Sequence, residues 1–202
     1  MPTLPGASVS FPLEATRFVV DARASEIRLL VFRDGPLARF GHNHVIVGPV
    51  RGEIRAGDGA TGGFRLEIPV ESFEIDPPKA RSEEGEEFAA EVSDQAREGT
   101  RANMLGANLL DAAHYPLIRI DSLALAGPRS DLVVTARATL RGAGRDLRIH
   151  AAVEQRGDSL AVTAQFRFRQ SDFGIQPFSA LGGGLLVRDA VDVRIRLTAR
   201  RA

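Results

Sequence analysis

The chain contains no cysteine, so neither a disulfide framework nor a thiolate metal site can hold it together. Tryptophan is also absent and tyrosine occurs once, which removes the aromatic girdles expected of an outer-membrane barrel. No stretch approaches the roughly 20 apolar residues of a membrane helix. There is no excess of charge of either sign: 26 basic residues face 26 acidic ones, which argues against a general nucleic-acid binder. Lysine is nearly missing, and the positive charge is carried by arginines scattered along the chain. No Gly-x-Ser-x-Gly elbow, P-loop or dinucleotide fingerprint is present. The N-terminus, MPTLPGASVSFPLEATRF, has neither a basic start nor an apolar run, so it is not a signal peptide as it stands. The expected compartment is therefore the cytoplasm, or the periplasm if a leader has been removed.

What is present is alternation. Leu160, Val162, Ala164, Phe166 and Phe168 fall on one side of a segment whose other side is Ala161, Thr163, Gln165 and Arg167. A β-strand sends successive side chains to opposite faces, so this segment has one apolar face and one solvated face. Leu132–Leu140, Leu147–Val153 and Val191–Leu197 repeat the pattern, as does Phe64–Val70, where Pro69 marks an edge, a bulge or the end of pairing. Arg17–Ala22, Glu26–Arg33 and Arg39–Val47 also read as strands, and Val50–Ala56 is expected to pair with the last of these across Gly48-Pro49. The short links at Gly142-Ala143-Gly144 and Gly157-Asp158 favour antiparallel hairpins. Residues 83–112 break the pattern: Phe88, Val92, Ala96 and Met104 recur at helical spacing, which predicts one or two helices with the acidic run Glu83–Glu87 as a solvated start. Residues 1–15, with Pro2, Pro5 and Pro12, read as an irregular arm, and 16–202 as one domain. About nine strands with one helical insertion give an all-β antiparallel barrel or sandwich.

Strands solvated on one face only must enclose an apolar space, and a closed barrel of roughly eight strands can pack it solid or hold one small ligand. Small residues on the apolar faces (Ala136, Ala138, Ala151, Ala164) leave volume that neighbouring Phe and Leu residues either fill or do not. Nothing polar punctuates these faces, so an occupant should be apolar. The inward candidates are Leu66, Ile68, Val134, Ala136, Ala138, Ile149, Phe166, Phe168, Val193 and Ile195, with Phe173 at one mouth. Gly41-His42-Asn43-His44 puts two imidazoles at i, i+2 on one strand face, a spacing that suits a metal, but a zinc site needs three or four protein ligands. His114 falls in a loop and His150 on an outer face, so no metal or other cofactor is expected, and a metal-dependent enzyme is the alternative reading. A solid barrel acting only through its surface is a third. Ser171-Asp172-Phe173-Gly174-Ile175 reads as a turn in which Gly174 takes a positive φ.

The order of these motifs resembles the YceI-like family of polyisoprenoid-binding proteins. Phe18-Val19-Val20-Asp21 with Ser25-Glu26-Ile27, then Gly41-His42-Asn43-His44 with Gly48 and Gly52, and Val70-x-Ser72-Phe73 are similar to its first motifs. Met104-Leu105, Leu110-Asp111, Tyr115-Pro116-x-Ile118, Leu140-x-Gly142 and Ser171–Ile175 complete the set, from about Thr16 to Ala199. After Gly142 the chain reads Ala-Gly-Arg-Asp, without the Thr-Lys pair of typical members. The resemblance implies an eight-stranded antiparallel, lipocalin-like barrel with a helical insertion. It implies a non-enzymatic carrier or store for a quinone tail or polyprenyl lipid, with His42, Asn43 and His44 as candidate head-group contacts. It further implies no stable membrane insertion and, as in some relatives, a homodimer.

Overall fold

The computed structural model describes residues 15–57 and 62–202; the expected N-terminal arm, apart from its last residue, and the tip of the loop after Gly57 lie outside the described residues. In chain order the strands are β1 (Thr16–Val20), β2 (Glu26–Val31), β3 (Arg33–Asp34), β4 (His44–Pro49), β5 (Arg51–Ala56), β6 (Gly62–Pro69) and β7 (Glu74–Ile75). Two helices follow, α1 (Pro78–Ser82) and α2 (Asp94–Leu105). Then come β8 (Leu117–Ala126), β9 (Leu132–Leu140), β10 (Ala143–Arg156), β11 (Ser159–Arg169), β12 (Ser179–Ala180), β13 (Leu185–Val187) and β14 (Ala190–Arg201).

The barrel closes through eight antiparallel strands in the order β1-β5-β6-β8-β9-β10-β11-β14, with β14 returning to β1. Farther along the same edge of β14 lies β2 (Val193↔Leu29, Ile195↔Ile27), which carries β4 and then β7. The pairs β1/β2, β4/β5 and β6/β7 are thus kinked halves of single staves. This corrects the hairpin expected across Gly48-Pro49: β4 pairs with β2 and β5 with β1, so these residues form a bend within one stave. Gly48 is needed there, because a Cβ would stand 2.7 Å from the Phe73 ring. The strand expected over Arg39–Val47 is also shorter. Ala38–Phe40 forms a 3-10 turn, and the ladder begins only at His44, opposite Val31.

The β9–β10 and β10–β11 hairpins form as the short links predict. Arg141 (φ 50°) and Gly142 (φ 75°) make the first turn, both in the left-handed region that a two-residue hairpin loop requires. Outside, the scattered arginines meet carboxylates across the ladders: Arg17–Glu53, Arg65–Asp121, Arg119–Glu67, Arg137–Asp146 and Arg167–Asp192. Such exposed pairs contribute little stability, but they keep the outer face solvated and in register.

The helical insertion starts earlier than its periodicity indicates, at Pro78, and breaks into α1, a 3-10 turn at Glu86–Phe88, and α2, whose N-cap is Ser93. Its first half lies against the outside of β2 and β4, where Ala80 and Phe88 bury Leu30 and Val45. The acidic run is solvated at Glu83, Glu86 and Glu87, but not at Glu84. The Glu84 side chain is 1% exposed and is held between Arg28 and Arg194. A small sheet, β12-β13-β3, forms a flap over the end of the barrel reached by β2 and β4, here termed the upper end.

Candidate functional site

The inward rows enclose two apolar cavities, one above the other. The lower, of about 90 Å³, is walled by residues including Leu66, Val134, Ile149, Ala151, Ala164 and Ile195. The middle one, of about 70 Å³, is walled by residues including Ile27, Leu29, Ala138, Phe166, Phe168, Phe173 and Val193. Strands β8, β9, β10, β11 and β14 contribute to both: β9 gives Val134 below and Ala138 above, and β14 gives Ile195 below and Val193 above. Ile120 borders both. The interior is therefore neither packed solid nor an open tube. Keeping about 90 Å³ of apolar space empty costs about 2 kcal/mol, which an apolar occupant would recover.

The inward row of β2 continues upward from Ile27 and Leu29 to Val31, and there reaches a third cavity of about 270 Å³. Its floor includes Val31, Ile46 and Met104, and its cover comes from α2 and from Phe178, Leu185, Leu186 and Val187 of the flap region. Ile46 and Met104 belong to the same contiguous core as Phe73 and Ile27. The upper cavity is also the polar one, lined by Arg33, His42, His44, Thr100, Asn103 and Gln170.

A buried network fixes His44. Asp76 is fully buried at φ 53° after β7. One of its oxygens lies 2.6 Å from His44 Nδ1; the other accepts from the Val45 amide at 2.8 Å and from Arg81 at 2.6 Å. Burial pushes the Asp76 carboxyl up, but the hydrogen bonds from His44, Val45 and Arg81 prevail and hold it below its ordinary pKa. An ionised Asp76 makes Nδ1 the protonated nitrogen and turns Nε2 to the cavity, 3.4 Å from the Thr100 hydroxyl. His42 stands beside it, with ring centroids 6.3 Å apart. Burial and the neighbouring charges of His44, Arg81 and Arg33 hold the His42 imidazole below its usual pKa. Among the described residues no group of three or more His, Cys, Asp or Glu side chains comes together, so the donor set for a metal stops at these two imidazoles.

The inward residues named from the alternation are brought together with two qualifications. Ile68 and Ala136 are fully buried but border none of the three cavities; Ile68 packs toward Gly48 and Phe73. Of the His-Asn-His motif, His42 and His44 reach the upper cavity. Asn43 does not: its side chain accepts from the Arg33 amide and donates to the Glu87 carbonyl. His114 and His150 lie on the exterior, paired with Asp111 and Asp131. Gly174 takes φ 71°, as its motif requires, while Ser171 bonds Asp189 through both its amide and its hydroxyl.

The apolar faces are also less uniform than their sequence suggests. Ser122 points inward opposite Ala136, beside a bulge in β8, with its hydroxyl bonded to both the amide and the carbonyl of Phe64. Thr100 and Asn103 were missed because nothing local marks a polar helix residue that faces a cavity, Met104 registers only as part of the helical spacing, and Arg33 was missed because it ends an otherwise apolar strand. The one available signal for Arg33 was parity, since it continues the inward row of Leu29 and Val31.

Comparison with solved structures places this architecture. BcnA of Burkholderia cenocepacia superposes with a TM-score of 0.63 at 16% identity, covering 89% of this chain and 98% of that one. The YCEI protein of Campylobacter jejuni superposes with a TM-score of 0.55 at 12% identity, covering 76% of this chain and 81% of the other. At such identities the likeness establishes the fold. No curated protein matches the chain in sequence. The family model described as the YceI-like domain matches residues 18–199, nearly the whole barrel with its insertion, and the chain therefore belongs to the YceI-like family.

Proposed function

We propose that this protein carries or stores an apolar ligand of the polyisoprenoid class, without catalysing a reaction on it. The reading rests on one observation above all: two cavities lined almost wholly by apolar side chains lie in line below a third whose lining is partly polar. A molecule with a long hydrocarbon tail and a small polar head has that distribution. The tail takes the lower and middle cavities and the head faces His42 and His44. Each buried methylene contributes about 0.8 kcal/mol, so an isoprenyl unit of five carbons contributes about 4 kcal/mol. The lower and middle cavities, at about 90 and 70 Å³, are smaller than the ~150 Å³ that accommodates one benzene. Loading a long tail therefore requires side chains to turn aside, and Phe166, Phe168 and Phe173 around the middle cavity are the ones in its way.

Organic extraction and mass spectrometry of the purified, untagged protein tests the proposal, together with uptake of a prenyl quinone by the emptied protein. Recovery of a prenyl lipid, or uptake of the quinone, is expected. Recovery of no apolar molecule, together with failure to take up the quinone, would overturn carriage and leave a barrel acting through its surface.

A further inference from the structure

We infer that the upper cavity is built for an anionic head group, a phosphate or carboxylate at the end of the apolar chain, with Arg33 as its counter-cation. This deepens the carrier reading and rests on it.

Arg33 occupies an inward position, two residues beyond Val31, and lines the cavity while half-buried. One of its nitrogens donates to the Gly41 carbonyl at 2.5 Å. Among the described residues no carboxylate stands within ion-pair distance of it. The contrast with the other arginines is instructive. On the outer wall Arg17, Arg65, Arg119, Arg137 and Arg167 are paired although water already solvates them. Arg81, more deeply buried than Arg33, is fully engaged by Asp76, the Asn43 carbonyl and the Ala90 carbonyl. Arg33 is a half-buried cation that faces the upper cavity with donors to spare, whereas Arg129, half-buried at the lower cavity, gives its two terminal nitrogens to the Gln155 side chain and the Gly57 carbonyl. A guanidinium removed from water gains most from a group that can accept two hydrogen bonds and carry negative charge.

The neighbours agree. The charge of Asp76 is already met by the Arg81 guanidinium, and its other oxygen is taken up by the hydrogen bond to His44 Nδ1. Burial is the main reason that the His42 pKa is lowered, and His44, Arg81 and Arg33 add to it against the opposing charge of Asp76. Thr100 and Asn103 supply neutral donors from α2. His44 Nε2 can accept the one remaining P–O–H of a singly protonated phosphate. The apolar floor of Val31, Ile46 and Met104 is where the tail of such a ligand would leave toward the barrel.

The test is competition against an apolar fluorescent probe by geranylgeraniol, geranylgeranyl phosphate and geranylgeranoic acid, which share one tail and differ in the head. The wild-type protein should bind the phosphate or the acid at least about ten-fold more tightly than the alcohol. Arg33→Gln should bring that ratio to about one by weakening the anion and sparing the alcohol. Equal affinity for all three ligands in the wild type overturns the anionic head and leaves carriage standing. An unchanged ratio in folded Arg33→Gln removes Arg33 from the role. If none of the three binds, carriage itself fails. Inorganic phosphate should compete poorly; competition as strong as that of the lipid would mean a free-anion site instead of the head end of a chain. The wild-type comparison needs no variant, so misfolding of Arg33→Gln would not shield the inference.

Discussion

The two ends of the barrel interior are built by different means. The lower cavity is walled mostly by strands in regular ladders: Val134 opposite Ile149, Ala151 opposite Ala164, Ala164 opposite Ile195. Its walls are local consequences of alternation, and its lining is apolar apart from Arg55 and Arg129. The upper cavity is assembled from β2, β3, β4, α2, the 3-10 turn at Ala38–Phe40 and the flap, segments far apart in the chain. One of its polar groups, His44, is held by a buried ionic network. The lower end depends on packing and tolerates any apolar residue of suitable volume. The upper end depends on a few directed hydrogen bonds, each of which removes a charge or donor that would otherwise be buried alone.

Breaking the upper end should therefore cost far more than altering the lower one. Asp76→Ala leaves the buried Arg81 guanidinium without its carboxylate, the Val45 amide without an acceptor and His44 without its anchor. Breaking a buried pair from one side typically costs about 3–5 kcal/mol. Urea unfolding should show a loss of that size, and the anion preference should fall with it. A loss under about 1 kcal/mol would mean that water reaches this network freely.

At the lower end the expected change has the opposite sign. Ala151→Leu adds apolar atoms to a wall that borders about 90 Å³ of empty space. Filling it should stabilise the fold by about 1 kcal/mol, the transfer gain less some strain. The same substitution should weaken uptake of a prenyl chain several-fold, measured by displacement of the apolar probe. Stabilisation with unchanged uptake would show that the tail does not occupy the lower cavity.

This division also explains what was legible in the chain. Alternation identified β6, β9, β10, β11 and β14, because a solvated outer face and an apolar inner face leave a two-residue period. It placed Val134, Ile149, Val193 and Ile195 on cavity walls. It could not separate residues that border a cavity from residues such as Ala136 that border only other side chains, since both look inward. It failed where one stave bends into two, at Gly48-Pro49, because a bend and a hairpin use the same turn residues. The acidic run misled for a related reason: Glu84 meets Arg28 and Arg194, and nothing local marks a glutamate whose partners lie on distant strands. The His-Asn-His spacing correctly put two imidazoles on one face. Asp76, which fixes one of them, sits 32 residues away from His44 and carries no local signature.

The mildest effect concerns the field at the upper end. Burial, with the charges of His44, Arg81 and Arg33, holds His42 below its ordinary pKa, while Asp76 opposes them. Unfolded, His42 takes up its proton near about pH 6.5; folded, it does so only at lower pH. In the window between, the unfolded chain binds more protons, so stability falls as pH falls, starting from about 6.5. Asp76 is also held below its ordinary pKa, so its contribution too is lost as pH falls, but only at far lower pH, as it drops through that depressed pKa. The two windows are thus separable. Urea midpoints across mildly acidic pH should decline more steeply in the wild type than in His42→Gln; parallel curves would mean that folding does not lower the His42 pKa. Loading an anionic ligand should reverse the effect, because negative charge beside His42 raises its pKa and makes protonation favour the bound state. A neutral ligand of the same tail length should leave the decline in place.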